Sequence, residues 1–281
     1  MKNIITINIE LAKNKLLASL LADHTNGKVG ASKTVLGLQG GAGVGKSESI
    51  VQASKEFAER LGLEFAETTD PSDKQLGFSI IQCSNVTASD LAIPTPNADK
   101  TELNYAFNLE LLPRKGKGIL FVDELSQGDA DVQKLLMALI RQRSVNGYHL
   151  PKDWSIVCAY NRVQDHAGAN AVLKTLTDRI TNKFNVEVDA SSWIKWASAN
   201  DVHPHVMAFI KADNRMLCTL HGADRNDIGS TPRTITMMSD EYHNIKNGLY
   251  KDVGISDKDI LSSVVGNEVG TAFSTFLNLV K

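Results

Sequence analysis

The chain has 281 residues, with 30 basic and 32 acidic side chains and 42% hydrophobic residues. That length allows one or two domains with a core large enough to need no disulfide or metal staple. A net charge of -2 excludes a broad electrostatic footprint for nucleic acid, although a local basic patch stays open. Three cysteines, Cys83, Cys158 and Cys218, are widely spaced and form no CxxC pair. Neither a disulfide framework nor a zinc ribbon is therefore expected, and reduced thiols point to the cytoplasm. No stretch approaches the roughly 18 uncharged apolar residues of a membrane span.

Glu10, Lys13 and Lys15 interrupt the apolar start of the chain, so it reads as an amphipathic helix and not as a signal peptide. Over residues 9–21, Leu11, Leu16, Leu17, Leu20 and Leu21 recur near helical spacing. Residues 26–33, rich in Gly, Ser and Lys, read as a loop. Residues 35–39 form an apolar run that ends in glycines, which predicts a buried strand. Residues 47–61 place Ile50, Val51, Ala53, Phe57, Ala58 and Leu61 on one helical face. Residues 78–83 and 119–122 are further strands, the second apolar on both faces as in a covered parallel sheet. Residues 129–143 are the clearest helix, with Val132, Leu135, Leu136, Leu139 and Ile140 at helical spacing. Strands over 154–160 and 182–188 follow, and strands alternating with helices predict a parallel α/β sheet.

Beyond the polar linker 189–192 the pattern is helical. Thr231-Pro232 reads as a helix start, and Ser256 with Asp259 resembles a capping box. The chain thus divides into an α/β domain over 1–190 and a smaller all-helical domain over 191–281.

Gly40, Gly41, Ala42, Gly43, Val44, Gly45, Lys46 and Ser47 fit the phosphate-loop pattern G-x-x-x-x-G-K-[ST] without a mismatch. Glycines let the backbone turn several N–H groups onto a phosphate, and the following helix adds its positive N-terminal end. Lys46 supplies a cation for the β- and γ-phosphates, and the Ser47 hydroxyl can ligate Mg²⁺. ATP with Mg²⁺ is the expected ligand. Ile119-Leu-Phe-Val-Asp123-Glu124 is an apolar strand that ends in two acids. Carboxylates at that edge of a parallel sheet sit where ligands bind. Asp123 is expected to hold Mg²⁺, and Glu124 to orient or deprotonate the attacking water.

Taken with GGAGVGKS and ILFVDEL, the helix DVQKLLMALIRQR, the strand end CAYNR, and TLTDRI followed by STPRTI, the chain resembles the AAA+ ATPases, and within them the MoxR-like branch. The resemblance covers roughly residues 30–245. It implies a P-loop AAA+ core, a parallel sheet flanked by helices, followed by a small all-helical lid. It also implies ATP hydrolysis by a homo-oligomeric ring, usually a hexamer, that remodels a protein client, with a von Willebrand factor A domain protein as a frequent partner. Position by position, Lys46 and Ser47 match the family's phosphate and magnesium residues, and Asp123 and Glu124 its acidic pair. Asn161 matches the first sensor, Arg179 the arginine finger, and Arg233 the second sensor at the start of a lid helix. Leu125-Ser126-Gln127 departs from the Asn and basic residue usual in that branch. Arg141 and Arg143 could face a neighbouring subunit, but a solvated helix end suits them better.

Asp90–Pro96 looks like the loop that faces the pore in this branch. Tyr105, Phe107, Leu109 and Leu111 alternate with more polar positions and suggest a hairpin, either the family's inserted one or an edge hairpin with its aromatics packed inward. Asn146-Gly147 marks a second hairpin. His203-Pro-His205 invites a metal reading, yet Pro204 favours a helix start, and no ligand set completes nearby. Trp193 and Trp196 are expected in the core against the lid. Two alternatives to a remodelling ATPase stand beside it. One is a nucleic-acid motor or loader, which the near-neutral charge disfavours. The other is a nucleotide-dependent scaffold with little turnover, which Glu124 disfavours.

Overall fold

The computed structural model describes residues 4–162, 172–219 and 229–280. In chain order come β1 (Ile5–Ile7), α1 (Ile9–Thr25), β2 (Leu36–Gly40), α2 (Lys46–Arg60), β3 (Glu64–Ala66) and β4 (Gln75–Gln82). Next are α3 (Ala88–Leu91), β5 (Ala92–Pro96), β6 (Leu103–Phe107), β7 (Lys117–Asp123), α4 (Ala130–Gln142), β8 (Ser144–Val145), β9 (Tyr148–His149) and β10 (Asp153–Tyr160). The rest are α5 (Lys174–Thr177), β11 (Asn182–Val186), α6 (Ala190–Ala197), α7 (Pro204–Ala212), α8 (Pro232–Lys246), α9 (Asp257–Val265) and α10 (Asn267–Leu279).

Seven strands form one parallel sheet in the order β1-β11-β2-β10-β7-β4-β3. Side chains alternate across each strand, and both faces are covered. In β7, Ile119 and Phe121 join the cluster that α1 and α2 build with Leu16, Leu20, Ile50 and Phe57. Leu120 and Val122 join the opposite cluster, with Val132, Leu136, Leu139 and Ile140 of α4. Each such fully buried side chain contributes about 1.5–3 kcal/mol. A Cβ on Gly77 or Gly118 would lie within 2.7 or 2.8 Å of the Trp154 indole, so these two strand glycines make room for that ring.

The paired short strands at the two sheet edges, β1 and β3, escape the periodicity reading because three residues carry too little of a repeat. Of the leucines that mark the apolar face of α1, Leu16, Leu17 and Leu20 are buried and Leu21 packs beside them, whereas Leu11 is exposed and Ala12 is buried. Both hairpins form. β5 and β6 pair antiparallel, as do β8 and β9 around Asn146 and Gly147, each at positive φ. The first hairpin ends at Phe107, whose ring packs 5.6 Å from Tyr148, while Ile93 and Leu103 stay exposed.

Arg143 corrects a sequence expectation. Asp129 caps α4 by accepting from Asp131 N (3.0 Å) and Val132 N (2.8 Å), and the helix stops at Arg143 with φ +60°. That left-handed turn folds the guanidinium inward, where it donates to the Trp154 carbonyl. Arg143 is therefore buried, neither a solvated helix end nor turned to a neighbour, and burial pushes its pKa down to about 10. Arg141 is exposed.

Helices α6–α10 share a separate core around Phe209, Met238, Tyr242 and Phe273. Thr231 and Ser256 cap α8 and α9, accepting from Thr234 N (3.2 Å) and Asp259 N (3.1 Å). His203 caps α7, its ring accepting from His205 N at 3.1 Å, and among the described residues no group of three or more His, Cys, Asp or Glu side chains is placed to hold a metal ion. The His203 imidazole lies 5.0 Å from that of His205, 4.9 Å from that of His243 and 4.6 Å from the Tyr242 ring. Burial, then the neighbouring His205, His243 and Lys246, lower its pKa to about 4. Below an ordinary pKa of about 6.5 the unfolded chain takes a proton that the folded chain refuses down to about pH 4. Stability should therefore fall as pH drops through that window. His203→Asn keeps a capping side chain and removes the titration. Its thermal midpoint should match the parent at pH 7.5 and fall less steeply towards pH 4, and parallel curves would rule out the histidine.

Candidate functional site

The site lies beyond the carboxyl ends of β2, β7 and β10, where strands from distant parts of the chain stand side by side. β2 delivers the glycine loop, which closes into α2 through Gly45 at φ +94°, a conformation that side-chain-bearing residues avoid. β7 delivers Asp123 and Glu124, and β10 delivers Asn161. Lys46 is buried, and its Nζ donates to Gly40 O (2.8 Å), Gly41 O (2.7 Å) and Asn161 Oδ1 (2.9 Å). Ser47 Oγ donates to Asp123 Oδ2 at 2.8 Å. Residues far apart in the chain thus meet through two direct hydrogen bonds.

Burial pushes the Asp123 carboxyl above the usual range, against the hydrogen bonds from Ser47 and the Glu124 N–H and the charge of Lys46. A desolvated carboxylate beside a hydroxyl is a hard-oxygen pair that a small divalent cation suits, so the donor set fits Mg²⁺. Glu124 takes φ +51°, and Ser84 Oγ donates to its carboxylate from the turn after β4. Ser126, fully buried, accepts the Asn161 N–H on Oγ at 3.2 Å.

These groups line one end of a cavity of about 760 Å³ between the sheet edge and the helical domain. Ala42, Gly43, Val44, Gly45, Lys46, Ser47, Asp123, Glu124 and Asn161 make the polar end. Ile9, Val188, Trp193, Trp196 and Met237 supply apolar wall. Lys195 of α6 forms an ion pair with Glu10 of α1, both on the same cavity. Arg233 also lines it, at the first turn of α8. Arg179 does not. It follows α5 in a turn, is exposed, and makes no ion pair among the described residues.

No family model matches the sequence, and no curated protein does. Solved structures do. A RuvB mutant of Thermotoga maritima superposes over 97% of this chain and 71% of its own, with TM-score 0.53 at 16% identity. NtrX from Brucella abortus in complex with ADP covers 94% of this chain and 53% of its own, with TM-score 0.50 at 12% identity. The chain has the P-loop AAA+ fold. Within that fold, Ala42 to Ser47, Asp123, Glu124, Asn161 and Arg233 come together at one cavity, Gly40 and Gly41 meet it only through their carbonyls on Lys46, and Arg179 stands apart on the surface.

Sequence reasoning missed Ser84, Ser126 and the role of Ile9 in the cavity wall, because no local pattern marks a lone serine or isoleucine. It read Trp193 and Trp196 as core; they do pack on the lid cluster, and they also line the cavity. Among the described residues no helix is long and apolar enough to cross a membrane. Ser126→Ala should leave the half-buried Asn161 N–H without its acceptor, costing about 1 kcal/mol. Calorimetry should show a thermal midpoint about 2–4 °C lower, and an unchanged midpoint would mean that the hydrogen bond contributes nothing.

Proposed function

We propose that this chain is a magnesium-dependent ATPase of the MoxR-like kind, working as a ring-shaped homo-oligomer, a hexamer, that remodels a protein client. The observation that carries the reading is the meeting of Lys46 with Asn161 and of Ser47 with Asp123 at the polar end of one cavity. The amphipathic lining supports a ligand with an apolar aromatic end and an anionic end, as a nucleotide has, and the ADP complex of NtrX shares the fold. A partner with a von Willebrand factor A domain and a cytoplasmic location belong to the same reading. The net charge of -2 gives a nucleic-acid motor no support.

In this reading the backbone N–H groups of residues 41–47 and the Lys46 ammonium hold the phosphates. Ser47 Oγ and an Asp123 oxygen hold Mg²⁺, which when bound offsets charge developing on the phosphoryl oxygens. Glu124 accepts a proton from the attacking water, and Asn161 orients that water beside Lys46. Ser84 donates to one oxygen of the Glu124 carboxylate, which orients the group and leaves its other oxygen to take the proton. Arg233 reaches the phosphates from the lid, and Arg179, exposed and away from its own cavity, serves the nucleotide of the adjacent subunit.

Phosphate release from Mg·ATP tests the assignment. Lys46→Ala should lose nucleotide binding, whereas Glu124→Gln should bind and hydrolyse about 10²–10⁴ times more slowly. Equal background rates in Glu124→Gln and the parent would end the enzyme reading. Arg179→Ala should cost about 10³ in rate. Mixing Arg179→Ala with Glu124→Gln chains should restore part of the activity, because one kind of interface then holds both groups. A mixture no faster than its components would exclude catalysis across subunits.

A further inference from the structure

The glycine loop touches the lid directly, in a contact between two motifs that the sequence marks only separately. Gly43 O accepts the Arg233 N–H at 3.3 Å, so a loop carbonyl satisfies one of the free donors at the start of α8. Gly43 itself holds φ +71°, and a Cβ there would lie 2.6 Å from Thr231 Oγ1 and 2.9 Å from Thr231 Cβ. The loop backbone therefore rests on the threonine with no spare room.

Thr231 is buried and tightly built into the lid. Its N–H donates to Thr234 Oγ1 at 2.8 Å, and its Oγ1 accepts the Thr234 N–H at 3.2 Å. Its neighbour Ser230, fully buried, donates to Met216 O at 2.7 Å and takes Thr219 Oγ1 as acceptor for its N–H at 2.9 Å. The cap cannot give way without breaking these bonds. Gly43 thus bears on a braced cap of the helix that carries Arg233 and Met237 of the cavity wall.

We propose that Gly43 and Thr231 form a size-matched key through which phosphate occupancy of the loop sets the orientation of the lid. Thr231 is thereby a positioning residue. It acts through Arg233 and touches no reacting group. The proposal rests on the nucleotide reading above and adds to it the route by which the site governs the helical domain.

A double-mutant cycle tests the key. Spin labels go on the exposed positions Glu59 of α2 and Lys258 of α9, as Glu59→Cys and Lys258→Cys in a Cys218→Ser background, since Cys83 and Cys158 are buried. The probe is Mg²⁺ with the non-hydrolysable analogue adenylyl imidodiphosphate at saturation. The parent distance distribution should shift on adding it. Gly43→Ala, which clashes, and Thr231→Gly, which leaves a gap but still suits a helix cap, should each abolish at least half of that shift and lower kcat tenfold or more. Gly43→Ala with Thr231→Gly, where the new methyl fills the vacated space although φ +71° still strains the alanine, should regain at least threefold in kcat and recover part of the shift. Thr231→Ser, which keeps the capping hydroxyl, should behave as the parent. Strictly additive losses, or a full shift in either single variant, would overturn the key. If Gly43→Ala does not fold, a full shift in Thr231→Gly overturns the proposal by itself, and its loss, with Thr231→Ser unaffected, sustains it. If the parent binds no nucleotide at all, the function proposed above fails and not the key.

Discussion

A desolvated carboxylate held against a hydroxyl is the interaction around which this molecule is arranged. Asp123 lies 2.8 Å from Ser47 at the carboxyl edge of a sheet whose central strands are mostly buried. Burial makes its charge costly unless donors or a cation answer it. The loop after β2 and the start of α2 supply those donors, and they can do so only because β2, β10 and β7 stand next to one another. The two apolar layers matter because they fix that strand order. If the packing of Leu38, Phe121 or Ile156 slackened, the carboxylate and the hydroxyl would drift apart together with their strands.

Around that pair the residues fall into ranks by what they touch. Lys46 and Asn161 bind each other, and Ser126 anchors Asn161 from beneath. Glu124 is held from the side by Ser84 and sits in a left-handed conformation, a strained backbone next to the point where chemistry is proposed. The lid closes the other side. Its own core holds α6 and α8 rigid, so the two tryptophans, Arg233 and the cap at Thr231 meet the glycine loop as a preassembled wall. One cavity with a polar end and an apolar end follows from joining two separately packed halves.

Much of the core was legible in the chain. Strand β7 shows as a run apolar at every position because both its faces are covered, and α4 shows through five apolar positions at helical spacing. The glycine loop is legible because the positive φ of Gly43 and Gly45 and the close contacts of Gly40 and Gly43 restrict residue type there. Thr231-Pro232 and Ser256 announce helix starts for the same reason, since capping demands particular atoms. Arg143 shows the limit. A basic residue at a helix end looks like a solvated cation, and only the left-handed turn and the neighbouring β10 send it inward to Trp154.

By itself the sequence determined which residues build the glycine loop, which strand carries the acids, and that a helical segment follows the sheet. Those features depend on local spacing and backbone conformation, which residue types record directly. Tertiary structure alone decided that Lys46 meets Asn161, that Ser84 and Ser126 hold Glu124 and Asn161, that the tryptophans face a cavity, and that Gly43 rests on Thr231. Each of these joins residues from separate elements, and their distance in space is set by strand order and helix packing, which no local repeat encodes.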